Sequence, residues 1–270
     1  MKYSVGEIAH LLNMTPSALR FYETEQIIHA EKSASGRRYY SQGDLARLIS
    51  SKKYSSMEVP IKTIAGQFKP GGDSRQAIAG RLWEKSVQIE EKAAYYQHLS
   101  ELIREQAGQL DRIDECLGQF QVAVREGCYV LSDQKHQLMS REKENRELIR
   151  QWIQASPAVK ISAVRRPEEE DGEMREVLAY QVAGKHAERM KLPVTGPGIS
   201  YLPPAVCVQT VISLRDSFFQ TEKIFAAAME YLAAKSIRQT GAATAVLLVV
   251  ESLEDGHYDG YLEIMVPFNL

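Results

Sequence analysis

The chain has 270 residues, with 44% hydrophobic and 25% charged side chains, an ordinary globular composition with room for two domains and a connector. A net charge of −2 excludes uniform coating of nucleic acid, and three cysteines, Cys116, Cys128 and Cys207, exclude a disulfide framework. The longest apolar run, Ala245–Val250, is too short for a membrane span, and the opening MKYSVGEIAHLL has neither the apolar core nor the cleavage site of a secretory signal, so a cytoplasmic protein without membrane contact is expected.

Charge is uneven along the chain. Residues 1–70 carry 10 Lys and Arg against 6 Asp and Glu, net +4, whereas residues 71–119 (6 against 9) and 120–270 (17 against 20) are each net −3. Local positive charge is what phosphate binding needs.

The first 70 residues read as a DNA-binding domain made of short helices. Ser4-Val5-Gly6-Glu7 is a capping box, opening a helix that is expected to bury Val5, Ile8, Leu11 and Leu12. Asn13 and Met14 make a turn. Thr15 caps a second helix, with Pro16 at its first position, where a missing N–H costs nothing. Two short helices on a tight turn are the layout of a helix-turn-helix. On its second helix Thr15, Ser17 and Ala18 are small residues suited to entering a groove, Leu19 faces the core, and Arg20 and Tyr22 are available to bases or phosphates. Ser33–Tyr40, SASGRRYY, suits a β-hairpin wing that brings Arg37, Arg38 and Tyr39 to the DNA backbone. Lys52, Lys53 and Lys62 could add phosphate contacts. Ser41–Asp44 caps a further helix with Leu45, Leu48 and Ile49 inward, and Pro60 opens a fourth, to about Phe68.

Residues 71–120 read as a connector and a long helix. Pro70-Gly71-Gly72-Asp73-Ser74 is a hinge and a cap, and from Arg75 to Gln119 there is no proline; as one helix this stretch would be about 67 Å long. A heptad frame puts Leu82, Ile89, Tyr96, Ile103, Leu110 and Leu117 on one seam position. Lys85, Lys92, Leu99, Gln106, Ile113 and Phe120 occupy the other, which is half polar. A stripe of this length wants a partner helix, and a homodimer is expected.

Residues 121–270 read as a doubled strand-helix-strand-strand unit. The first comprises 127–132, 141–154, 159–165 and 177–183, and the second 206–214, 219–238, 244–252 and 260–268, joined by the Pro/Gly-rich 192–204. The pattern implies a mixed sheet with two helices on one face. In the last strand Leu262, Ile264, Val266 and Phe268 share the packed face, and Tyr261, Glu263 and Met265 the other. An aromatic, a carboxylate and a thioether on an uncovered face suit the floor of a site for a flat or cationic ligand, an ordinary solvated face being the plainer alternative. Trp152, Tyr180, Phe218, Phe225 and Tyr258 are further aromatics for such a pocket, although most large aromatics are core.

The runs YSVGEIAHLLNMTPSALRFYETEQII, GRRYYSQGDLARL and MEVPIKTI resemble the winged helix-turn-helix of MerR-type regulators over residues 3–68. Arg20-Phe21-Tyr22-Glu23 matches that family's Arg-aromatic-Tyr-Glu tetrad, with Phe21 where Tyr is commoner. The resemblance implies an α+β protein with an all-α winged domain, a long helix forming an antiparallel dimerisation coil, and promoter DNA and RNA polymerase as partners; an effector twists and bends the operator to change transcription. Residues 121–270 resemble the GyrI-like, multidrug-binding effector domains, through the doubled pattern, Tyr201-Leu202-Pro203-Pro204-Ala205 and the closing Tyr261–Pro267. That implies a small-molecule effector, drug-like or a cationic aromatic compound. Many such domains place an acid inside the third strand of the second unit. Thr244–Val250 has none, and Glu251 stands only at its end. No cofactor, metal or catalysis is expected. A metal- or thiol-responsive regulator using Cys116 and Cys128 is one alternative, although these lie twelve apart with no CxxC or His-rich tract. A GyrI-like hydrolase fused to a DNA-binding domain is the other, although G-x-S-x-G, HExxH and a clear Cys–His pairing are all missing and Glu263 is the one candidate base.

Overall fold

The structure is a computed structural model that describes residues 2–132, 143–167, 174–217 and 219–269. It divides into two compact units between Tyr96 and Gln97.

In the first unit, β1 (Lys2–Ser4) leads into α1 (Val5–Leu11) through the Ser4–Glu7 capping box. α2 (Pro16–Thr24) follows, capped by Thr15. β2 (Glu31–Lys32) and β3 (Arg38–Ser41) pair as a hairpin and β1 adds to β3, giving a three-stranded sheet. Gly36, at φ 76°, makes the hairpin turn, a conformation glycine adopts without penalty. α3 (Gln42–Ser56) and α4 (Ile61–Gly66) complete the small core, in which Ile8, Leu19, Tyr22, Ile27, Ile28, Tyr40 and Leu48 are buried. Two expected core positions are not in it: Leu11 is 61% and Ile49 51% exposed. Each sits one step off the apolar stripe of a short helix that is covered on one side only.

Asp44 shows how sequence fixes the start of α3. It is buried, and its carboxylate accepts from Ser41 N (2.9 Å), Ser41 Oγ (2.6 Å) and His29 N (3.2 Å). Burial alone would raise its pKa; the hydrogen bonds from Ser41 and His29, with Arg47 beside it, outweigh burial and lower it.

α5 (Arg75–Asp111) is a single helix of 37 residues, about 56 Å long. It ends before the expected Gln119, giving way to the short α6 (Ile113–Cys116). Ile89, Tyr96, Ile103 and Leu110, all on the first seam position, are exposed. The half-polar second seam position is occupied within the chain: Lys85 and Lys92 both bind Glu58 at 2.9 Å, Gln106 donates to the Leu248 carbonyl at 2.9 Å, and Ile113 is buried.

The second unit contains β4 (Gln121–Arg125), β5 (Cys128–Leu131), α7 (Lys143–Gln154), β6 (Lys160–Pro167), β7 (Met174–Ala183), α8 (Gly184–Arg189), β8 (Ile199–Leu202), β9 (Ala205–Arg215), α9 (Thr221–Ile224), α10 (Ala226–Ala234), β10 (Ala243–Ser252) and β11 (Tyr258–Pro267). Its sheet has the order β4-β9-β11-β10-β6-β7-β5-β8. The expected mixed sheet is corrected: every ladder between these strands is antiparallel. The reason is topological. In each repeat the helix joins the first strand to the second, but the third strand lies between them, so parallel strands never become neighbours. The doubled unit is otherwise there, as β5-α7-β6-β7 and β9-α9-α10-β10-β11. The helix expected over 219–238 is split into α9 and α10, and the 192–204 connector contains β8. The start of the helix expected at 141, and Phe218, lie outside the described residues.

One sheet face packs under α7, α9 and α10, where Trp152, Ile224, Phe225, Ala228 and Leu232 meet Tyr180, Leu262, Ile264 and Val266. On the other face α6 covers only part, Ile113 and Cys116 against Val211, Leu248 and Tyr261. No described helix is long and apolar enough to cross a membrane.

Asp44→Ala leaves three donors around a buried position, and should destabilise the first unit by about 1–3 kcal/mol at neutral pH. A carboxyl with a lowered pKa contributes stability above its unfolded value near ~4, lost as pH falls through the folded value. Wild type should therefore lose part of its advantage over the variant on acidification. Hydrogen exchange of the α3 amides reads both effects; identical exchange in the two proteins at neutral pH would refute the role of Asp44.

Candidate DNA interface and ligand cavity

The Thr15 hydroxyl accepts from Ala18 N at 3.1 Å, and Pro16 takes the first helical position, so α2 starts where the sequence requires. Helical periodicity then sends Leu19 inward and leaves Ser17, Arg20 and Phe21 exposed, with Ala18 half-buried. Tyr22, expected to reach bases or phosphates, is corrected: at 8% exposure it is a core residue, three places after Leu19 on the same face. In the hairpin Arg37 is exposed, while Arg38 and Tyr39 are half-buried.

Sequence reasoning missed the role of Glu23. It accepts from Arg38 Nη1 at 2.9 Å and from the Tyr40 hydroxyl at 3.0 Å, joining α2 to β3. Burial, reinforced by the bond to Glu23, pushes the Tyr40 phenol up to about 12. Arg38 is thus committed to an internal ion pair, whereas Arg20 and Arg37 have no carboxylate within ion-pair distance among the described residues.

The uncovered face of the second sheet bounds a cavity of about 600 Å³, with α5 and the start of α8 as its other walls. Glu263 and Met265 lie on its floor, beside Gln209, Val211, Val246 and Leu248. Glu263 accepts from Gln209 Nε2 at 2.6 Å, and Gln209 in turn accepts from Gln121 at 3.1 Å. Lys160 and Gln181, directly paired across β6 and β7, extend the floor. Desolvation lowers the Lys160 pKa, opposed by the charges of Glu263 and Glu105. Arg125 is 5% exposed; it donates to the carbonyls of Ala242 (2.6 Å) and Pro203 (3.3 Å), and its Nε has no partner. Gln181 Oε1 is also buried without a partner. In the wall, Glu105 binds Lys185 (3.1 Å) and His186 (3.0 Å), and His186 contacts the buried His98 at 2.9 Å.

Of the residues expected to bind an effector, Glu263 and Met265 reach this cavity, and none of the five described aromatics does. Trp152 and Phe225 are fully buried beneath the helices, and Trp152 donates to the Pro193 carbonyl at 3.0 Å. Tyr180 alternates with Gln181 in β7 and takes the helix face. Tyr261 shares the sheet face of Glu263 but packs against Ile113 and Cys116, and Tyr258 is half exposed at the start of β11. The cysteines are buried; burial pushes the Cys128 thiol up to about 11 and raises that of Cys207, which opposes the thiolate a metal or redox sensor needs. Among the described residues no three His, Cys, Asp or Glu side chains converge as a metal site.

Residues 3–68 match the family model described as MerR HTH family regulatory protein. The match is confined to this segment of the first unit. The chain is 26% identical over 102 residues to the HTH-type transcriptional regulator ZntR of Escherichia coli, covering 36% of this chain and 72% of that one. It is also 26% identical over 134 residues to an uncharacterized HTH-type transcriptional regulator of Pseudomonas aeruginosa, covering 48% and 94%. Among solved structures, EcmrR in its complex with DNA aligns over 99% of both chains at 14% identity and a TM-score of 0.35. The N-terminus of MtaN, the Bacillus subtilis multidrug transporter activator, aligns over 40% of this chain and 97% of that one, at 21% identity and a TM-score of 0.32.

In this segment, Glu23→Gln removes a charge and keeps the side chain's shape. The Tyr40 phenol should then titrate below about 12, burial alone holding it up, and the β2–β3 amides should exchange faster. An NMR pH titration that found Tyr40 unchanged would remove Glu23 as its partner.

Proposed function

We propose that this chain is a homodimeric transcription regulator that binds promoter DNA through residues 1–70, dimerises through the helix of 71–120 as an antiparallel coil, and binds a small-molecule effector in its GyrI-like domain, residues 121–270. The observation that carries the DNA part is the exposed Ser17 and Arg20 on a Thr15-capped helix inside a segment that matches a MerR-type domain, accompanied by a hairpin with Arg37 exposed. Arg20 reads a base edge, and Arg37 fixes register on phosphates as the tip of a wing. Arg38 and Tyr39 hold the wing's shape. Dimerisation is supported by the row of exposed Ile89, Tyr96, Ile103 and Leu110, which a lone chain leaves in water.

Effector binding is supported by a cavity of about 600 Å³, inside the usual range for small-molecule sites. α5 contributes Leu102, Glu105 and Gln109 to that cavity, so a ligand there touches the same helix that carries the dimer stripe. Its binding energy then biases the shape of the bound operator and with it transcription by RNA polymerase.

Fluorescence anisotropy with labelled duplex DNA at several salt concentrations tests the interface. Arg37→Ala should weaken binding to any sequence and flatten the salt dependence by about one counterion. Arg20→Ala should cost about 1–3 kcal/mol on a preferred site and little elsewhere. Wild-type affinity in both variants would overturn the assignment.

A further inference from the structure

From the charges in the cavity wall we infer that the effector is an organic anion, an amphipathic molecule with a carboxylate or comparable negative group. This rests on the reading of the cavity as the effector site. The lining holds five cationic side chains, Arg104, Arg112, Arg125, Lys160 and Lys185, against three acids, Glu105, Glu126 and Glu263. Glu105 and Glu126 both bind Lys185, at 3.1 and 3.3 Å, a trio of net −1. The other four cations have no carboxylate within ion-pair distance among the described residues, and with Glu263 counted the lining as a whole is net +2. Glu263 is itself held by Gln209.

Two of these cations are inside rather than at the rim. Arg125 is 5% exposed and meets only carbonyl oxygens, with its Nε unpaired. The thiols near it, Cys128 and Cys207, are kept neutral by burial and cannot offset its charge. A buried charge without a counter-charge is costly, and an anion entering the cavity relieves that cost. Lys160, half-buried on the floor, presents its ammonium to the cavity, with Gln109 as its hydrogen-bond partner at 2.5 Å. Arg104, on α5, and Arg112, between α5 and α6, are exposed and attract the same sign of ligand from outside. Opposite them Val124, Val211, Val246, Leu248 and Met265 supply an apolar wall. The negative group lies against Lys160 within the field of Arg125, and the apolar body lies on this wall.

The test is a matched series with one ring system and three headgroups: naphthylacetate, naphthylethanol and naphthylethylammonium, each titrated calorimetrically into the full-length dimer. The anion should bind at least tenfold more tightly than the alcohol, and the cation more weakly still. Lys160→Gln should shrink the anion's advantage over the alcohol to less than threefold while leaving the alcohol's affinity and the melting temperature near wild type. Arg125 braces Pro203 and Ala242, so its substitution is the less clean variant. Equal or tighter binding of the cation, or an anion preference untouched by Lys160→Gln, would overturn the anion assignment and leave the cavity reading standing. No binding of any of the three would overturn both.

Discussion

The second unit depends on the pleat of β11. Side chains of a strand alternate between faces, and Leu262, Ile264 and Val266 go under α9 and α10. Glu263 and Met265 are thereby forced to the opposite face, in the interior of an eight-stranded sheet. A register slip of one residue would bury the carboxylate under the helices and expose three aliphatic side chains, so the sequence tolerates only one arrangement. The same parity runs through the neighbours. Val208, Ile212 and Ala245 take the helix face, while Gln209, Val211 and Val246 take the cavity face. The cavity is therefore the face that α5 and α6 leave partly open, furnished with polar groups at fixed positions.

This parity explains how much of the cavity was legible beforehand. Lone polar residues inside apolar strands, Gln181 in VLAYQVA, Gln209 in AVCVQTVIS and Glu263 in YLEIMVP, mark the floor, and applying alternation to β7 and β9 as well as β11 would have found all three. The aromatics misled because size was read as a sign of ligand contact. Trp152, Tyr180 and Phe225 are large enough to be needed in the core, and the helix face uses them there. Arg125 and Lys185 could not be read from the sequence, because β4 and α8 were not anticipated and nothing local says what they face.

In the first unit the caps were fully legible, because each is a contact within three residues: Ser4 with Glu7, Thr15 with Ala18, and Ser41 with Asp44. What was not legible is long-range. Glu23 meets Arg38 and Tyr40 across 15 and 17 residues of chain, and this clamp turns Arg38 from a surface cation into part of the fold. Tyr22 is misread for a local reason: it adjoins the exposed Arg20 and Phe21, and helical periodicity turns it to the core. In α5 the half-polar seam blurred the heptad. Lys85, Lys92 and Gln106 bind within the chain, while Ile89, Tyr96, Ile103 and Leu110 of the apolar seam stay exposed.

In the proposed homodimer, two copies related by two-fold symmetry, each presenting a helix-turn-helix, would have to read a sequence with the same symmetry. Selection from a pool of randomised duplex DNA by the full-length protein tests this without knowledge of the target promoter. The expected winner is an inverted repeat of two half-sites at one fixed spacing. Enrichment of a single asymmetric site, or no enrichment above the starting pool, would contradict a dimeric regulator that recognises DNA through α2.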